Sequence, residues 1–200
     1  SKNTADKGSG VYVANHTKAN GEQFLAKFNI SGGACIKGGD DVYLGSQNVI
    51  TITGDTGELT SNPVATITPE TYAEVQVLAA GEGITLKEQV GKFNVTKYNN
   101  NVDTKITETG FLKNTLTLGE NPELTEDLYN ICSTINVTSA DGMKELSQLT
   151  GKTFDGKTII LKNDVVLDEN YEPIHTFSGV FDGGDNSIKE LKAASTNYNQ

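Results

Sequence analysis

Imidazole chemistry has little material in this chain, whose only histidines are His16 and His175. General acid–base or triad catalysis needs an imidazole held beside a nucleophile and an orienting acid, and a histidine metal site needs several such ligands together. Each histidine lies in a polar stretch, far from the other, and reads as a surface residue. The two cysteines, Cys35 and Cys132, belong to no CxxC or Cys/His pattern, so a thiolate metal site has no ligand set. Their neighbours Ala34, Ile36 and Ile131 are apolar. Two readings stay open: one disulfide in an oxidising compartment, or two buried free thiols.

Carboxylates are more plentiful, but their spacing does not converge. Asp182, Asp185 and Asn186 offer oxygen ligands of the kind calcium takes, yet they fit neither an EF-hand loop nor a nonapeptide calcium repeat. The same residue types serve a tight corner that needs positive φ and side-chain capping. Asp40 and Asp41 are adjacent, so on a strand they point to opposite faces and cannot share a proton. Asp168, Glu169 and Glu172 form an acid group in composition only, with nothing to orient them across a cleft as glycoside hydrolysis requires. Gly81-Glu82-Gly83 is too short for a phosphate-binding fingerprint and precedes no long helix. Asn15, Asn29, Asn94 and Asn136 open Asn-x-Ser/Thr sites, which a Thr- and Asn-rich chain produces by chance. No residue is assigned a catalytic, cofactor-binding or metal-binding role, and the expectation is a non-enzyme.

Charge narrows the partners. The formal net charge is -10, and all sixteen basic residues are lysines. They are scattered singly, and the arginine fork that dominates phosphate and base recognition is absent, so nucleic acid is not an expected partner. The surplus lies in the second half: residues 101–200 carry eight Lys against sixteen Asp and Glu, whereas residues 1–100 carry eight against ten. No apolar run approaches the length of a membrane span. The polar stretch from Ser1 to Gly10 reads as the leader of a mature, exported chain.

The elements that would position any site are short strands. Phe24, Ala26, Phe28 and Ile30 alternate with Leu25, Lys27 and Asn29, the period of a half-buried strand. Further strands are predicted at Asp41–Leu44, Asn48–Thr53, Tyr72–Ala79, Lys92–Tyr98, Val102–Thr107 and Asn114–Leu118. Gly32-Gly33, Gly38-Gly39, Gly54-Asp55-Thr56-Gly57 and Asn99-Asn100-Asn101 punctuate them as turns. The apolar pattern stops around Gly119–Glu123, and the acidic stretch to Asp127 reads as a linker. Ile131–Val137 is strand-like. One helix is predicted, capped by Ser139, with Asp141 in its first turn, an apolar series Met143, Leu146, Leu149, and Gly151 as the left-handed terminus. Beyond it, Phe154-Asp155-Gly156 recurs as Phe181-Asp182-Gly183, 27 residues later. Each copy leads into a strand, Thr158–Leu161 and Ser187–Leu191, with Val165–Leu167 and Thr176–Val180 between them. Such a repeat suits a solenoid coil that must stack on the next, or a pair of hairpins.

Two stretches resemble known families. Tyr72 to Thr85, with Gly81-Glu82-Gly83-Ile84-Thr85 and onward through Val90 to Ile106, is similar to the core of fimbrillin-like proteins, as is the strand start Gly38-Gly39-Asp40-Asp41-Val42-Tyr43-Leu44. The family's usual Trp before that Gly-Asp and its aromatic strand are lacking. Thr138–Lys192 resembles the start of the Gly-rich parallel β-helix called GLUG-type in bacterial surface proteins. The matching runs are Met143-Lys144-Glu145-Leu146, Leu161-Lys162-Asn163-Asp164-Val165-Val166-Leu167, Pro173-Ile174 and Phe177-Ser178-Gly179-Val180-Phe181-Asp182-Gly183.

These resemblances imply an all-β fold: a flexible leader over 1–20, an antiparallel β-sandwich over 21–120, a linker or connecting strand over 121–137, and a small β-helix-like module with one capping helix over 138–200. They imply display on the outer membrane of a bacterium, as an adhesin or fimbrial component without cofactor. The expected partners are other surface or pilus subunits, host matrix proteins or glycans, with a lipid anchor upstream of Ser1 left open. The competing readings are a fragment of a carbohydrate-active β-helix enzyme, a polysaccharide lyase or glycosidase, and a surface glycan-binding lipoprotein.

Overall fold

Short apolar alternations, none long enough to hold together alone, pair with their counterparts one turn later in the chain. A computed structural model describes residues 7–36, 41–54 and 58–191. Most of the polar leader, the Gly38-Gly39-Asp40 approach, Asp55-Thr56-Gly57 and Lys192 onward lie outside the described residues. The chain divides into two compact units, Ser1–Asn114 and Thr115–Gln200.

The first unit contains β1 (Val11–Val13), a hairpin of β2 (His16–Thr17) and β3 (Gln23–Phe24), β4 (Phe28–Ile30), β5 (Asp41–Leu44), β6 (Ile50–Ile52), β7 (Ala65–Pro69), β8 (Leu78–Ala80), α1 (Leu86–Gln89), β9 (Phe93–Val95) and β10 (Val102–Ile106). The chain alternates between two ladders: β1, β5, β7 and β9 form one sheet, and β4, β6 and β8 another. Pairing within both is parallel. Val11, Val42, Ile67 and Val95 stack in register, as do Phe28, Ile50 and Leu78. Val42, Ile50, Ile67 and Leu78 are fully buried and anchor the core. Burying side chains of this kind contributes about 1.5–3 kcal/mol each.

β11 (Leu112–Leu118) spans the division between the units. The second unit continues with α2 (Glu126–Ile131), β12 (Thr134–Val137), α3 (Ala140–Gln148), β13 (Thr158–Leu161), β14 (Val165–Val166), β15 (Val180–Asp182) and β16 (Ile188–Lys189). From Thr115 onward β11, β12, β13 and β15 form a parallel ladder, and β14 pairs β16 in the same sense. Tyr129, Phe154 and Phe177 pack in series beside it, Tyr129 edge-on to Phe154 and Phe177 tilted against it, with ring centroids 5.5 and 5.7 Å apart.

The antiparallel sandwich expected over 21–120 is therefore corrected: the sheets are several, small and mostly parallel. The β2–β3 hairpin and the Gln76–Phe111 bridge are antiparallel exceptions. With three α-helices besides among the described residues, the fold is a mixed α/β-like one rather than all-β. Alternation of period two marks a strand but does not encode its partner, and here partners lie tens of residues apart, which parallel pairing through long connections accommodates. The expected module over 138–200 with a capping helix is corrected too. Parallel stacking starts upstream of it at β11, and α3 connects the adjacent strands β12 and β13.

Local signals fared better. Ser139 Oγ accepts from Gly142 N at the start of α3, and Gly151 has φ +76°. In the acidic stretch read as linker, Thr125 Oγ1 accepts from Leu128 N and caps α2, with Glu126 and Asp127 in its first turn. Two glycines are fixed by contact. A Cβ on Gly110, at φ +84°, would lie 2.0 Å from Leu78 O, and one on Gly179 would lie 2.5 Å from Phe154 O.

The cysteines are both free. Burial pushes the Cys132 thiol up to about 11, while Cys35 is half-exposed and donates weakly to Pro63 O at 3.4 Å. In native protein near neutral pH, iodoacetamide is expected to label Cys35 and to spare Cys132 until denaturant is added, as read by mass spectrometry. Phe154→Ala removes the middle ring of the aromatic stack and is expected to cost about 3–5 kcal/mol in denaturant unfolding of the second unit. Truncating the exposed Phe24 is expected to stay within about 0.5 kcal/mol.

Candidate binding surfaces

Stacking explains where the second unit runs out of partners. Leu116, Ile135, Ile159 and Phe181 share one column. The first three are fully buried, whereas Phe181 is 40% exposed. Beside it Val180 is 59% and Phe177 37% exposed, although Phe154, the preceding ring of the aromatic stack, is fully buried. The column that is core in each earlier strand thus meets solvent at Phe181 in β15, the edge of its ladder among the described residues, whereas Val180 continues the partly exposed column of Thr115 and Thr158. Val180 N donates to Lys157 O at 2.9 Å. The alternate amide, Phe181, faces the open side, as the pattern of a parallel edge strand requires.

The corner beside this edge is fastened by side chains. Asn186 Nδ2 donates to Leu161 O at 2.9 Å, and Asn163 Nδ2 to Thr138 O at 3.1 Å, each reaching back one strand. Asp164 Oδ1 accepts from Ser187 N at 2.8 Å, and Asp164 Oδ2 from Lys189 Nζ at 3.1 Å. The Ser187 amide first, and Lys189 next, hold the Asp164 carboxyl below the usual aspartate range.

A second surface is a cleft of about 560 Å³ in the same unit. One wall is the last turn of α3 and the turn after it, from Lys144 to Thr153. The other is the stretch Asn170–Thr176. Two contacts tie the walls together. Lys144 Nζ and Asp168 Oδ2 are 2.7 Å apart, while Ser178 N and Ser178 Oγ both donate to Thr153 O, at 2.7 and 3.1 Å. The ion pair raises Lys144 and lowers Asp168 from their usual ranges, each chiefly through their mutual hydrogen bond. Lys152 Nζ lies 2.7 Å from Glu126 Oε1 and 5.2 Å from the centre of the Tyr129 ring.

The residues singled out by sequence are dispersed. His16 lies exposed in β2 of the first unit, whereas His175 and Glu172 line the cleft. Asp182 Oδ1 accepts from Gly184 N at 2.9 Å and Asn186 is spent on Leu161, so these two serve the corner. Asp41 accepts from Ser9 N and Ser9 Oγ, and Asp40 lies outside the described residues. Gly81 forms a corner, its amide donating to Ile52 O at 2.7 Å. Of the Asn-x-Ser/Thr sites, Asn15 bonds Ser46 O in the turn after β5, Asn136 bonds Thr117 Oγ1 in β11, and Asn29 and Asn94 are exposed. Among the described residues, no group of three or more His, Cys, Asp or Glu is placed to hold a metal ion, and no helix is long and apolar enough to cross a membrane.

Sequence reading missed both surfaces. The Phe-Asp-Gly repeat, spaced by 27, is not the structural one: Phe154 precedes β13 at φ +59°, whereas Phe181 lies within β15. The register pairs Ile159 with Phe181, 22 residues on. Spacing of Tyr129, Phe154 and Phe177 would have been the better signal.

No protein-family model matches the sequence, and neither a curated protein nor a solved structure is significantly similar to it.

Asp164 provides a pH test. Its folded pKa is depressed, so its stabilisation is complete above the ordinary aspartate range and is lost as pH falls through the lower folded value. The protection factors of the Ser187 and Lys189 amides, exchange rates corrected for the intrinsic pH dependence, are expected to fall on acidification through that window, ahead of those in β12 and β13.

Proposed function

We propose that the protein is an exported component of a bacterial surface, an adhesin or fimbrial subunit that acts by binding and assembly rather than by catalysis. The observation that carries this reading is the open strand β15, which exposes Phe181 where β11, β12 and β13 bury Leu116, Ile135 and Ile159, with Val180 and Phe177 exposed beside it. An edge of this kind accepts a strand from another chain, whose main-chain bonds give affinity while side-chain pockets give specificity. The partner best suited to it is another surface subunit bearing a short apolar strand. The Arg-free, acidic composition argues against nucleic acid as a partner. The resemblance to GLUG-type surface proteins over Thr138–Lys192 supports the same assignment. The fimbrillin-like resemblance supports it less, since the sandwich it implied is replaced by parallel ladders.

Sedimentation velocity from dilute to concentrated solution tests the reading. The unmodified protein is expected to associate, and Val180→Lys with Phe181→Lys to keep it monomeric without loss of the folded circular-dichroism signal. A chain that stays monomeric throughout, and that sibling subunits and matrix proteins fail to bind, would overturn the proposal.

A further inference from the structure

We propose that the cleft between the end of α3 and Asn170–Thr176 is a binding site for a carboxylated carbohydrate. Its volume of about 560 Å³ falls in the range of about 300–1,000 Å³ typical of small-ligand sites. No Phe, Tyr or Trp ring lines it, and its apolar side chains are Leu149 and Ile174. A flat hydrophobic ligand or a nucleobase therefore finds no large apolar aromatic face to stack on. Gln148, Thr150, Thr153, Asn170 and Thr176 instead present amides and hydroxyls that donate and accept, as vicinal sugar hydroxyls require.

Charge selects the class of sugar. The second unit carries six Lys against fourteen Asp and Glu, yet the cleft is lined by two lysines, Lys144 and Lys152, against one carboxylate, Glu172. The carboxylates paired with the two lysines, Asp168 and Glu126, do not line it. Each ammonium has three donors, so one salt bridge leaves others for a ligand carboxylate. The contacts Lys144–Asp168 and Ser178–Thr153, which fasten the chain on either side of Asn170–Thr176 to the other wall, exist without ligand, so little ordering is needed on binding.

This site is separate from the β15 edge, and the full chain carrying Val180→Lys and Phe181→Lys isolates it from self-association. Titration calorimetry with a galacturonic acid trisaccharide is expected to show binding that weakens with salt, and the neutral galactose trisaccharide to bind more weakly. Lys152→Gln is expected to cost about tenfold in affinity for the acidic sugar, the scale of one charge-assisted hydrogen bond, and to leave the neutral sugar unchanged. Thr150→Trp, placed on an exposed turn to fill the cleft, is expected to abolish binding of both. The proposal is overturned if the acidic trisaccharide does not bind, if Thr150→Trp binds it as well as the parent, or if triglutamate peptide or the neutral sugar binds equally tightly.

Discussion

In-register stacking of apolar columns is the constraint on which the rest of this structure depends. Each strand is too short to be stable alone, and the ladder strands that build the core present a few large side chains inward. Val42 over Ile67 and Ile50 over Leu78 in the first unit, and Leu116, Ile135 and Ile159 in the second, remove those side chains from water by placing like on like. A register slip of one residue would turn every inward side chain outward. The corners guard against that slip: Asn48, Asn163 and Asn186 each donate to a main-chain carbonyl one turn earlier.

The same constraint makes an end costly. A stack of parallel strands has no closing partner unless something covers the last one, and at β15 the described residues supply none. Phe181 thus inherits an inward position but not the burial that Ile159 enjoys. The binding reading follows from that mismatch, and it requires no activated side chain. The ionic contacts of the second unit, Lys144–Asp168, Lys152–Glu126 and Lys189–Asp164, join residues 24 to 26 positions apart and act as ties between successive turns. Being exposed, they contribute modestly to stability and mainly fix geometry, which is how the walls of the cleft are held.

Legibility in the sequence followed the range of the interaction. Asp41–Leu44 and Thr158–Leu161 were readable as strands, and the Ser139 cap with Gly151 as a helix, because alternation and capping are local. The predicted strand Phe24–Ile30 proved to be two strands in different sheets, since side-chain period carries no information on partners. Tyr72–Ala79 failed for a related reason: Val75, Val77 and Leu78 make main-chain hydrogen bonds to Gly110 and Leu112, with ladder pairing confined to its end. Thr125-Glu126-Asp127 carried a helix start that acidity alone disguised as linker. The candidate surfaces were not legible, because the β15 edge is defined by a register of 22 residues and the cleft by two stretches that meet only after stacking.

Amide hydrogen exchange at Phe181, followed by NMR beside that at Ile159, tests the central claim most directly. The two residues occupy the same column, and only the amide of Phe181 faces the open side. The account predicts fast exchange at Phe181 and slow exchange at Ile159 in dilute protein, with Phe181 slowing as chains associate. Equal protection of both amides in the monomer, or association that leaves Phe181 unprotected, would contradict it.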